Sequence, residues 1–107
     1  MASIQYHKLV RDKIPEIIAL SGKSCKCRAL EEDEYLVLLD EKLQEELNEY
    51  LQSGSLEELA DLLEVIRAVC AARGSNIDEV EELRRSKAEK RGGFQKRILL
   101  SEVISPD

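Results

Sequence analysis

The chain has 107 residues, a formal net charge of -6, 43% hydrophobic residues and 36% charged residues. That length gives one small domain over 1–107, and that balance is globular and helix-rich rather than disordered. The acidic total excludes general nucleic-acid binding, and the absence of Trp removes a base-stacking platform.

The three cysteines, Cys25, Cys27 and Cys70, are odd in number and no leader segment is recognisable, so a disulfide framework is not expected. A reduced, cytoplasmic setting is the expectation. Cys25-Lys26-Cys27 has no second half and only His7 as another soft ligand, so alternation along a strand explains it better than zinc. No apolar run reaches the length of a membrane span.

Tyr6 to Pro15 is dense in charge, with Lys8, Arg11, Asp12 and Lys13. It reads either as an exposed lead-in or as a phosphate contact. Leu9, Val10, Ile14, Ile17 and Ile18 continue a helical spacing to about Leu20, with Pro15 in the first turn and Ser21-Gly22 as the stop. Ser24 to Leu30 alternates and predicts a short strand. Glu31 to Glu34 places acids in the first turn of a helix that runs to about Leu51. Its apolar stripe is Leu36, Leu39, Leu43, Leu47, Tyr50 and Leu51, bordered by Glu46, with Glu49 just beyond and Glu45 more nearly outward.

Gln52-Ser53-Gly54-Ser55 is a turn, short enough to fold the next helix back antiparallel. Ser55 is a candidate N-cap, and Glu58 three residues on completes a capping-box pattern that competes for that carboxylate. The helix runs to about Arg73, and Gly74 ends it. Its apolar residues, from Leu59 through Ala72, cover most of the circumference, so a second subunit is the expected cover and a homodimer or higher homo-oligomer follows. Asn76 can cap a last helix over Ile77 to Lys90, whose basic end carries Arg84, Arg85, Lys87, Lys90 and Arg91. Cations there are favoured by the helix dipole in any protein. Gln95 to Leu100 reads as a strand able to pair with Ser24 to Leu30, which gives a mostly α bundle of about four helices with a small two-stranded sheet.

The densest pattern is Glu45-Glu46-x-x-Glu49, a spacer, then Glu58-x-x-Asp61. Residues three apart share a helix face, so each helix presents an acidic pair at one end of the hairpin. Converging carboxylates repel unless a cation joins them, and oxygen ligands suit Mg²⁺ or Mn²⁺. A solvated acidic face and a purely capping Glu58 are the plain alternatives.

E-E-x-x-E followed by E-x-x-D resembles the all-α nucleotide pyrophosphohydrolases: the MazG-like group, the dimeric dUTPases and phosphoribosyl-ATP pyrophosphohydrolase. The opening K-L-V-R-D-K-I-P and the ending K-R-G-G-F-x-K-R-I resemble a phosphoribosyl-ATP pyrophosphohydrolase-like subgroup, and together these motifs span nearly the whole chain. The resemblance implies Mg²⁺ at Glu46, Glu49, Glu58 and Asp61; Glu45 belongs to the same pattern and, as a carboxylate not committed to metal, is the candidate catalytic base. The resemblance also implies hydrolysis between the α and β phosphates of a nucleoside triphosphate or related nucleotide. A downstream lysine of the family matches Lys87 or Lys90, without the asparagine that usually follows. Lys8, Arg11, Lys13, Lys87, Lys90 and Arg91 are the candidate phosphate-binding residues. The alternatives are phosphoribosyl-ATP hydrolysis in histidine biosynthesis and a non-catalytic helical interaction module.

Overall fold

The computed structural model describes residues 2–107. Four helices follow in order: α1 (Ile14–Leu20), α2 (Glu32–Ser53), α3 (Leu56–Ala72) and α4 (Ile77–Arg91). The fold is all-α, and among the described residues no strand forms.

Local chemistry sets each boundary. Pro15 stands in the first turn of α1, where its missing N–H costs nothing. Glu32, Asp33 and Glu34 occupy the first turn of α2, against the positive end of its dipole. Gly54 ends α2 in the left-handed region at φ 67°, which only glycine enters without strain, and its N–H donates to the Tyr50 carbonyl at 2.7 Å. Two residues after α2 ends, α3 starts, so the pair must double back as an antiparallel hairpin. Asn76 opens α4 by accepting the Glu79 N–H on Oδ1 at 2.9 Å.

The α2–α3 hairpin is the main packing unit, and α4 leans more lightly on α3. Among the described residues only Leu39, Val65 and Cys70 are buried apolar side chains. Leu59 and Leu63 on α3, and Leu47 and Leu51 on α2, remain exposed within the protomer. The radius of gyration is 19.4 Å, against about 13 Å for a compact chain of this length. The accessible surface is 10047 Å², against roughly 6,000 Å² for a compact monomer of this mass.

The expected two-stranded sheet is absent. Residues 23–30 form neither helix nor strand, and Phe94 to Arg97 close a turn instead, the Arg97 N–H donating to the Phe94 carbonyl at 3.1 Å. Arg97 is left-handed at φ 57°, which breaks the extended run that pairing would need. Two short strands without a third layer are marginal in water in any case. Ile98, Leu99, Leu100, Val103 and Ile104 of this tail are exposed.

Candidate metal centre

The acids meet across the turn. One carboxylate oxygen each from Glu46, Glu58 and Asp61 lie within 4.8 Å of one another. Glu46 is the apex and is only 7% exposed, whereas Glu58 and Asp61 are half-buried. Its Oε2 is enclosed and has no hydrogen-bond partner. A buried carboxylate oxygen without a donor is costly, which makes it the feature that most needs a cation.

Glu58 is free to take part because the cap is made differently from the expected box. The Ser55 hydroxyl accepts the Glu58 N–H at 3.3 Å, as a cap should. The Ser55 N–H, which the Glu58 side chain would have taken in a full capping box, donates instead to Ser53 Oγ at 3.2 Å. The carboxylate of Glu58 is therefore not committed to the backbone.

Glu49 stands outside the three-acid cluster but beside its apex. Burial pushes the Glu46 carboxyl above its ordinary range, the adjoining Glu49 pushes it further, and Lys42 opposes both. Two carboxylates are both acceptors, so Glu49 satisfies Glu46 only by sharing a proton. Lys42, with a side chain 16% exposed, lies 3.5 Å from Glu46 Oε1 and 3.3 Å from Glu45 Oε2. Sequence reasoning missed this lysine, although its position one helical turn before both acids is a visible signal.

Glu45 lies between two lysines, Lys42 and Lys8, both at 3.3 Å. Burial raises its carboxyl, but the two ammonium groups outweigh burial and hold it below the usual range. In this arrangement Glu45 is a charge partner of the segment before α1, through Lys8. Arg11 Nη2 of the same segment donates to Asp61 Oδ1 at 2.7 Å. Two of the candidate phosphate-binding residues thus already touch the acids.

The other candidates are placed differently. Lys13 sits at the N-cap of α1 and forms no ion pair among the described residues. Lys87, Lys90 and Arg91 are exposed, with Lys90 and Arg91 in the last turn of α4, where the helix dipole favours them. No hydrogen bond or ion pair among the described residues joins them to the acids. A shallow recess between α3 and α4, lined by Glu64, Arg67, Ala68 and Ala71 with the start of α4, includes none of the candidate site residues. The Cys25 and Cys27 thiols are free and 3.6 Å apart, remote in sequence from the acids. No helix among the described residues is long and apolar enough to cross a membrane.

No family model matches the chain, and no solved structure matches it. An uncharacterized protein of Mycolicibacterium smegmatis (strain ATCC 700084 / mc(2)155) is 52% identical to it over 42 residues, which is 39% of this chain and 43% of that protein. The chain therefore matches less than half of that relative's length.

Proposed function

We propose that this chain is a divalent-cation-dependent nucleotide pyrophosphohydrolase that works as a homodimer. The observation that carries the reading is the buried carboxylate of Glu46, whose Oε2 has no partner and one oxygen of which lies within 4.8 Å of oxygens of Glu58 and Asp61. Three carboxylates with no soft donor suit a hard cation, Mg²⁺ first and Mn²⁺ second. Glu46, Glu58 and Asp61 would hold it, with Glu49 beside Glu46 as the fourth acid. Bound there, such an ion neutralises phosphate oxygens and lowers the pKa of a coordinated water.

The chain's own residues do the rest. Glu46, desolvated on the α2 stripe, fixes one side of the site in a partly dry wall. Lys42 keeps the Glu45–Glu46 edge from flying apart by charge. Arg11 and Lys8 supply positive charge beside the acids, and Lys13, Lys87, Lys90 and Arg91 add further cations for a phosphate chain. In the reaction, the oxygen of water bonds to the α-phosphorus of a nucleoside triphosphate. The α–β bridging P–O bond breaks and its electron pair leaves with pyrophosphate, while the water proton passes to solvent. Charge grows on the leaving group, so fixed cations there lower the barrier.

The homodimer rests on surface. A protomer with roughly 4,000 Å² more accessible area than a compact chain of its mass, and with Leu47, Leu59 and Leu63 exposed on the hairpin, fits a cover made by a second copy. Incubation with a panel of nucleotides and Mg²⁺, with pyrophosphate and phosphate separated among the products, tests the reaction. Pyrophosphate with a nucleoside monophosphate is expected. Release of single phosphates, or no turnover of any nucleotide, refutes the reaction class. Selective turnover of phosphoribosyl-ATP in the same panel would move the assignment to that substrate.

A further inference from the structure

The segment before α1 carries cations onto the same acids that would hold a metal, and it reaches them from far along the chain. Arg11 and Asp61 are 50 residues apart in sequence, Lys8 and Glu45 are 37 apart, and both pairs form. The segment is held at two points. His7 turns the backbone through the left-handed region at φ 49°, and Lys8 follows it onto Glu45 at 3.3 Å while also lying 5.7 Å from the Tyr6 ring. Arg11 then meets Asp61 at 2.7 Å. Leu9 between them is half-buried.

Asp61 is thereby claimed twice. One of its oxygens accepts from Arg11, and it is one of the three acids clustered around Glu46. A divalent ion at that cluster brings two positive charges to an oxygen set that already has a guanidinium beside it, and like charges at such separations repel. The Arg11–Asp61 pair is solvent-exposed, with the two side chains 56% and 41% accessible, so it is weak enough to exchange. The unpartnered Glu46 oxygen is the opposite: it has nothing to give up and everything to gain from the ion. Glu45 lies outside the cluster, so Lys8 keeps its partner when Arg11 loses its own.

We propose that Arg11 is a resident counter-cation of the acidic site, which a divalent ion displaces from Asp61 and so turns out as a phosphate-binding group, while Lys8 on Glu45 tethers it within reach. Arg11 is a positioning device for the phosphate chain that is armed only when the ion is in place. The inference rests on the cation reading above. It adds an order of events: ion first, then arginine, then phosphate. It also adds a sign, because the arginine and the ion compete and the two affinities are linked.

Calorimetric titration of the full chain with Mg²⁺ alone reads that competition. Arg11→Gln is expected to bind Mg²⁺ about two- to fivefold more tightly than the wild type, since it removes a competitor worth an exposed ion pair. Arg11→Lys, which keeps the charge, should stay near the wild type. A second measurement leaves Arg11 unaltered: trypsin cleavage after Arg11, relative to cleavage after the exposed Lys96, should accelerate with Mg²⁺ in the wild type and not in Glu46→Gln. Equal or weaker Mg²⁺ binding by Arg11→Gln, or cleavage after Arg11 that ignores Mg²⁺ in a wild type that binds it, overturns the displacement and leaves the cation reading standing. A wild type with no Mg²⁺ heat and no Mg²⁺-dependent melting overturns both.

Discussion

Glu46→Gln should make the cation-free protein more stable and the cation-loaded protein impossible. Glu46 is 7% exposed, and its Oε2 is buried with no donor. Leaving a buried charged acceptor unsatisfied costs roughly 1–3 kcal/mol or more. The amide removes the charge and can donate to Glu49, while Lys42 keeps Glu45 at 3.3 Å and loses only its longer 3.5 Å contact. A net gain of about 1 kcal/mol is expected after that loss, or roughly 4–8 °C in Tm for a chain of this size. The sign with pH follows from the raised Glu46 pKa: the fold prefers the protonated acid. Wild-type stability from this group is therefore full at low pH and declines as pH rises from the ordinary carboxylate range through the raised folded value. The variant has no such decline, so its advantage should grow over that interval and level off above it. Adding Mg²⁺ reverses the order, because only the wild type gains by linkage. The assay is thermal unfolding at fixed protein concentration, in chelator and then in Mg²⁺. A Glu46→Gln protein that melts below the wild type in chelator at neutral pH would refute the reasoning, since Glu46 would then be stabilised by something other than an absent cation.

Ser55→Ala removes the cap that accepts the Glu58 N–H and should cost about 1 kcal/mol, read as a loss of roughly 4–8 °C in Tm. Leu63→Asp places a charge on the exposed apolar side of α3, and sedimentation should show monomer or unfolded chain where the proposed assembly predicts a wild-type dimer. A folded wild-type monomer at low micromolar concentration would contradict the assembly. Lys90→Ala should slow pyrophosphate release while the Mg²⁺-dependent gain in Tm persists, and Glu49→Gln should diminish both; equal turnover by Lys90→Ala and the wild type would remove Lys90 from the site.

What the sequence made legible follows the range of the forces. Caps and stops act within four residues, so Gly54, Ser55 and Asn76 marked the ends of α2, α3 and α4 to within a residue or two. The three-residue spacing of the acids with a turn between them was enough to bring Glu46, Glu58 and Asp61 together. The same spacing did not say that Glu49 would stand beside the cluster rather than in it. That depends on the rotation of α2 against α3, which a local spacing does not specify. Contacts of the segment before α1 left no periodic trace, because Arg11 finds Asp61 through space and not along a helix. The strands were misread because alternation in Ser24 to Leu30 satisfies a local pattern, whereas pairing needs a distant partner that the Phe94 to Arg97 turn withdraws.

The acids that cluster belong to a single stretch of chain closed by the two-residue link between α2 and α3. Closing so short a loop takes little entropy, and contacts local in sequence form early. The site is therefore expected to assemble with the first tertiary contact rather than with the last. Carboxylate repulsion then falls on the folding transition state itself, and an ion that relieves it acts there too. In a chevron plot Mg²⁺ should move the refolding arm more than the unfolding arm. If the hairpin holds an ion as proposed, substitutions at Glu46, Glu58 or Asp61 should change the folding rate together with cation affinity.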